Sequence, residues 1–131
     1  MTQNDQLVLA IVDDDDDVRI ALCRLLSAMG HQVQAFASAE DFEAAHATVD
    51  CAIVDVRLPG VSGFELRERL CHQTVRAPIV FITGDGDRHT RDHARLIEAP
   101  LVTKPFDAAL LAAAITEAMS KIESPGESHA G

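Results

Sequence analysis

The sequence predicts an α/β fold: a parallel sheet with helices on both faces, giving a three-layer α/β/α sandwich. Three observations carry that expectation. Leu7–Val12, Cys51–Val54 and Ile79–Ile82 are short and continuously apolar, the pattern of strands covered on both faces. The stretches between them repeat apolar residues at helical spacing, as in Val18, Ala21, Leu22, Leu25, Leu26 and Met29. The two kinds of segment alternate along the chain, and right-handed β-α-β crossovers then make the strands parallel.

The elements follow in order. Met1–Gln6 is polar and is expected to be a flexible N-terminus. Leu7–Val12 is the first strand. Asp17–Met29 is the first helix, with Asp16 or Asp17 as cap or first-turn acid and Gly30 ending it with positive φ. Gln32–Phe36 is a short second strand. Ser38, followed by Glu40 and Asp41, starts a helix over Ala39–Thr48. Cys51–Asp55 is the third strand, and Pro59, Gly60 and Gly63 mark the turn after it. Ser62 caps a helix over Gly63–Cys71 that buries Phe64 and Leu70. Pro78 opens the fourth strand, Gly84 and Gly86 make a loop, and a polar helix spans roughly Arg88–Ile97. Pro100 precedes a short fifth strand, Leu101–Thr103. Pro105 biases Lys104 away from helical geometry. Asp107 caps the last helix, whose stripe is Leu110, Leu111, Ala114, Ile115, Ala118 and Met119. Residues 123–131 are expected to be a disordered tail.

With 131 residues, 47% of them apolar, the chain suits one domain with a sizeable core. Its aromatics are five Phe, so that core is aliphatic. A net charge of −10 opposes non-specific binding to DNA or to anionic membranes. No apolar stretch approaches a membrane span of about 18 residues, and no secretory leader pattern is present. Cys23, Cys51 and Cys71 lack metal-motif spacing and read as reduced thiols. The expected location is cytoplasmic.

Chemistry concentrates where strands end. The first strand ends in Asp13 and Asp14, the third in Asp55, the fourth in Thr83 and the fifth in Lys104. In a parallel sheet these groups share one edge, where ligands of open α/β sheets bind. Three carboxylates repel one another unless a hard cation such as Mg²⁺ compensates them, and Mn²⁺ would serve similarly. An ammonium and a hydroxyl beside them suit a phosphoryl group.

The motifs IVDDD at Ile11–Asp15, VDVRLPGVSG at Val54–Gly63, ITG at Ile82–Gly84 and TKPF at Thr103–Phe106 resemble those of the response-regulator receiver domain of two-component signalling. The resemblance spans about residues 7–120 and implies a receiver domain over 7–122. It implies a doubly wound sheet of order 2-1-3-4-5, an order that periodicity alone does not supply. It implies Asp55 as the phosphoacceptor and Asp13, Asp14, Asp55 and the Arg57 carbonyl as the Mg²⁺ site. Thr83 and Lys104 would hold the phosphoryl oxygens, and Lys104–Pro105 would be a cis bond. The phosphoryl donor would be a sensor histidine kinase or a histidine phosphotransfer protein, and the output a downstream effector protein. Arg57 and Asp85 would border the path of hydrolytic water and could pair across it, tuning the acyl-phosphate lifetime.

Two departures stand out. The switch position three residues before the lysine is usually aromatic in the family and is Leu101 here. The helix over Arg88–Ile97 is unusually polar, and Glu98-Ala99-Pro100 follows it without a glycine, so a short, tilted or mobile helix is expected. With no DNA-binding pattern after the last helix, a stand-alone regulator working through protein contacts is the expectation, with a receiver cut from a longer hybrid kinase as the alternative. Two other functions compete: a phosphorylation-independent binding module that keeps the fold, and a small Mg²⁺-dependent aspartyl phosphohydrolase. The second lacks an acid two residues after Asp55, where Arg57 stands, and has no insertion long enough for a substrate cap.

Overall fold

The computed structural model describes residues 6–71, 77–84 and 86–130, with 121–130 described by backbone alone. Its strands are β1 (Val8–Val12), β2 (Gln32–Phe36), β3 (Cys51–Asp55), β4 (Ile79–Thr83) and β5 (Leu101–Thr103). Its helices are α1 (Asp16–Ala28), α2 (Ala39–Ala45), α3 (Gly63–Cys71), α4 (Arg88–Leu96) and α5 (Ala108–Ala130). The strands form one parallel sheet in the order β2-β1-β3-β4-β5.

Side-chain alternation along the strands splits the core into two layers. Leu9, Ile11, Ile53, Val80 and Ile82 face one way, against Leu22 and Leu26 of α1 and Leu111 and Ile115 of α5. Ala10, Val12, Ala52, Val54 and Phe81 face the other, against Phe42 of α2 and Leu66 and Leu70 of α3. Both faces of the central strands are therefore dry, which is why their sequences are apolar without alternation. Each fully buried leucine contributes about 1.5–3 kcal/mol by leaving water. β2 is an edge strand with Gln32, Gln34 and Ala35 exposed, so its sequence is the most mixed of the five.

Local chemistry sets the element ends. Asp15 caps α1 by accepting from the Asp17 and Val18 amides, one residue earlier than the sequence suggested. Gly30 follows α1 with φ 97°, as expected. Ser38 caps α2, which stops at Ala45 rather than Thr48 because His46 turns left-handed at φ 50°. Ser62 and Glu65 cap α3 reciprocally, each backbone amide bonded to the other's side chain. Leu70 is buried as expected, but Phe64 is only half-buried, and Leu66 takes the deepest position on α3. In α5, Leu111, Ala114, Ile115 and Ala118 are buried, whereas Leu110 is 57% exposed. Leu110, expected in the stripe, instead faces water, because the position one before Leu111 points about 100° away around the helix. The expected tail falls on positions whose side chains lie outside the described residues; the backbone there continues α5 to Ala130. Met1–Asp5 also lie outside them.

The polar helix α4 runs over nearly the expected span and is no shorter than α3, each having 9 residues. Asp87 caps it by accepting from the Thr90 amide at 2.8 Å. Thr90 and Ala94, one turn apart, are its buried residues. His93 stacks on Phe64 of α3 with ring centres 3.9 Å apart and planes 9° from parallel. Phe64 in turn packs on Phe81 of β4. At the far end Glu98 takes φ 56°, a conformation that costs a non-glycine residue about 1–2 kcal/mol.

Candidate functional site

The strand order places the C-terminal ends of β1, β3, β4 and β5 side by side. Val12 is level with Val54, Asp55 with Ile82, and Thr83 with Thr103. Asp13, Asp14, Asp55, Thr83 and Lys104 therefore converge at one edge, as their positions after apolar runs suggested.

Carboxylate oxygens of Asp13, Asp14 and Asp55 lie within 4.8 Å of one another. Asp13 is 2% exposed, Asp55 half-buried and Asp14 exposed. Asp13 accepts the Asp15 amide at Oδ1 (2.9 Å), and its own amide bonds the Phe36 carbonyl (3.1 Å). Asp55 Oδ1 accepts the Arg57 amide at 3.0 Å, leaving Oδ2 outside that bond. Burial pushes the Asp55 carboxyl up to about 6. The Arg57 amide opposes that rise, Asp13 and Asp14 add to it, and Lys104 opposes it. The Asp13 carboxyl is raised too, again chiefly by burial. Two acids are thus held where ionisation is costly, and the Lys104 ammonium offsets that cost for both only in part. An oxygen-only donor set with excess negative charge fits a hard dication such as Mg²⁺.

Close approach shapes the rest of the edge. A Cβ at Gly63 would sit 2.4 Å from the Asp55 carbonyl oxygen, so only glycine lets α3 begin this near the acid. Lys104 lies along Gly84, where a Cβ would be 3.4 Å from its Cδ and 3.5 Å from its Nζ. Thr83 is 2% exposed, so its hydroxyl lies below the surface. The Lys104–Pro105 bond is cis. Leu101 on β5 is half-buried against the core layer containing Phe81.

Arg57 reaches across the opening. Its Nη2 is 2.9 Å from Oδ2 of Asp87, the α4 cap. Asp85, the expected partner, lies outside the described residues. Asp87 was not singled out in the sequence; its place directly before a helix marks it as a cap, but its pairing with a residue 30 positions away has no local signal. Arg19 is a second residue whose part the sequence did not reveal, since its guanidinium bonds the Asp13 carbonyl at 2.7 Å.

The model of the "Response regulator receiver domain" family matches residues 9–116. The chain belongs to that family. Membership makes the role of this receiver regulatory rather than enzymatic. The receiver is 34% identical over 125 residues to the transcriptional regulatory protein FixJ of Azorhizobium caulinodans, covering 93% of this chain and 59% of FixJ. It is 37% identical over 122 residues to the response regulator protein TmoT of Ectopseudomonas mendocina, covering 88% and 54% respectively. The chain thus spans somewhat more than half of these relatives. Among solved structures, FixJ-N is similar at 31% identity and TM-score 0.77, over 86% of this chain and 93% of that one. StyR is similar at 33% identity and TM-score 0.75, over 93% of this chain and 63% of that one. Among the described residues no helix is long and apolar enough to cross a membrane.

Proposed function

We propose that this receiver accepts a phosphoryl group on Asp55 from the phosphohistidine of a sensor kinase or phosphotransfer protein and passes the signal to an effector by protein contacts. The observation that carries the proposal is the convergence of the Asp13, Asp14 and Asp55 carboxylates, with Asp55 half-buried between strand ends that also supply Thr83 and Lys104. Asp55 attacks phosphorus with a carboxylate oxygen, the bond from phosphorus to the donor nitrogen breaks, and the proton balance is completed on the released imidazole. The Arg57 amide on Oδ1 orients the acid for this attack.

Asp13, Asp14, Asp55 and the Arg57 carbonyl would hold Mg²⁺, or Mn²⁺ in its place. The ion would offset the carboxylate repulsion and polarise the phosphoryl oxygens. Lys104 and the Thr83 hydroxyl donate charge-assisted hydrogen bonds to the oxygens of the bound phosphoryl group. Recruitment of Thr83 draws β4 toward the site, and Leu101, level with Phe81 on the neighbouring strand, repacks with it. Leucine lacks an aromatic ring's area and any hydroxyl, so the output of this switch is a packing change alone. Arg57, tied to Asp87, shields the phosphoryl group from in-line water and lengthens its life.

Intact-mass analysis after acetyl phosphate and Mg²⁺ tests the proposal. A single labile phosphoryl adduct is expected on the wild type and none on Asp55→Ala. An adduct that persists in the variant, or none on the wild type, refutes it. Multiple turnovers of a phosphomonoester would instead favour a phosphohydrolase.

A further inference from the structure

Asp13–Asp17 is a run of five carboxylates, and such a run repels itself where β1 passes into α1. Arg19 is the cation seated in it. Its Nη1 donates to the Asp13 carbonyl at 2.7 Å, and its Nη2 pairs with the Asp16 carboxylate in the first turn of α1. The pair is lopsided: the Arg19 side chain is only 21% exposed, whereas that of Asp16 is 79% exposed. The Arg19 side chain thus lies mostly covered between the end of β1 and the start of α1, with its bond to Asp16 at the surface. The Asp13 amide bonds Phe36 on the neighbouring strand, so its peptide groups are held on both sides. The Asp13 carbonyl belongs to the Asp13–Asp14 peptide unit, so fixing it fixes where the Asp14 backbone starts. Asp14 is the exposed member of the acidic cluster and depends on its backbone for aim.

We infer that Arg19 is a positioning residue for the cation site, acting through the Asp13–Asp14 peptide. The inference rests on the Mg²⁺ reading given under Proposed function. The two acceptors, a carbonyl and a carboxylate, are held by separate nitrogens of one planar fork, a spacing that the single nitrogen of lysine does not reproduce. Outer residues that orient metal ligands commonly change affinity about 10–100-fold when removed.

The sign of the effect separates positioning from bystander charge. A positive charge near a dication site weakens binding by repulsion, so deleting it without any loss of aim tightens binding. Deleting a positioning group loosens it. The chain has no Trp or Tyr, so Mg²⁺ titrations are followed by backbone-amide NMR shifts, with urea melts in chelator as the check on folding. Arg19→Met is expected to raise the Mg²⁺ Kd about 10-fold. Arg19→Lys, which keeps the charge and the packing of the stem, is expected to raise it also and decides the matter if Arg19→Met fails to fold. A wild-type Kd in Arg19→Lys, or equal or tighter binding in a folded Arg19→Met, overturns the role of Arg19. A wild type that gives no Mg²⁺ response overturns the cation-site reading itself, and the inference with it.

Discussion

Removing the charge of Asp55 should stabilise the metal-free fold, and the gain should depend on pH. The carboxyl titrates at about 6 in the folded chain against an ordinary 3.8, because burial and the neighbouring acids disfavour its charged form. A raised folded value means the native state holds the proton more tightly. The contribution of Asp55 to stability is therefore greatest below about 3.8 and is lost as pH rises through about 6. That rise from 3.8 to about 6 corresponds to about 3 kcal/mol at most. Asp55 is half-exposed, and solvent screening reduces that to about 1–2 kcal/mol. Asp55→Asn keeps the shape without the charge, so it should exceed the wild type by about that amount at pH 7.5 in chelator. At pH 5, where most of the folded wild type is protonated, the advantage should shrink by roughly 1 kcal/mol. Saturating Mg²⁺ at pH 7.5 should shrink it as well, by stabilising the wild type. Urea unfolding in chelator at the two pH values measures all of this. An Asn variant no more stable than the wild type at pH 7.5, or equally favoured at both pH values, would refute the claim that Asp55 is held charged against its environment.

Other outcomes are expected along the same edge. Asp14→Ala should lose most of the NMR response to Mg²⁺, since it removes the exposed acid of the cluster; unchanged affinity would exclude Asp14 as a ligand. Lys104→Ala should leave urea stability nearly intact but weaken the phosphorylated state by about 1.5–3 kcal/mol, the worth of a charged hydrogen bond. A large stability loss with a normal phospho-response would contradict that role. Arg57→Ala should shorten the acyl-phosphate lifetime at fixed Mg²⁺ while still allowing the adduct, and Asp87→Asn should do so to a smaller degree because Arg57 loses its tether. An equal or longer lifetime in Arg57→Ala would defeat shielding. Gly63→Ala forces a methyl onto the Asp55 carbonyl and should cost about 1–3 kcal/mol in a urea melt and slow adduct formation.

The sequence by itself determined the strands, the acids that end them and most helix starts. These are local matters: burial on both faces makes a strand wholly apolar, and a cap is one side chain beside its own helix. Asp13, Asp14, Asp55, Thr83 and Lys104 could therefore be read as strand-end groups before their distances were known. The order of the strands was not in the periodicity, because each buried strand presents the same pattern to any neighbour; the family resemblance supplied it. Only the tertiary structure decided how far a long side chain reaches. Arg57 meets Asp87 across 30 residues, and Arg19 turns back onto the Asp13 carbonyl, a group that carries no sequence identity. The polar α4 likewise found its anchor in a His93–Phe64 stack between helices, and Leu110 was left in water beside a buried stripe. Composition sets which groups can bury or pair, but the choice among partners is made by packing, which brings distant residues within a few ångströms with no repeat or spacing to announce it.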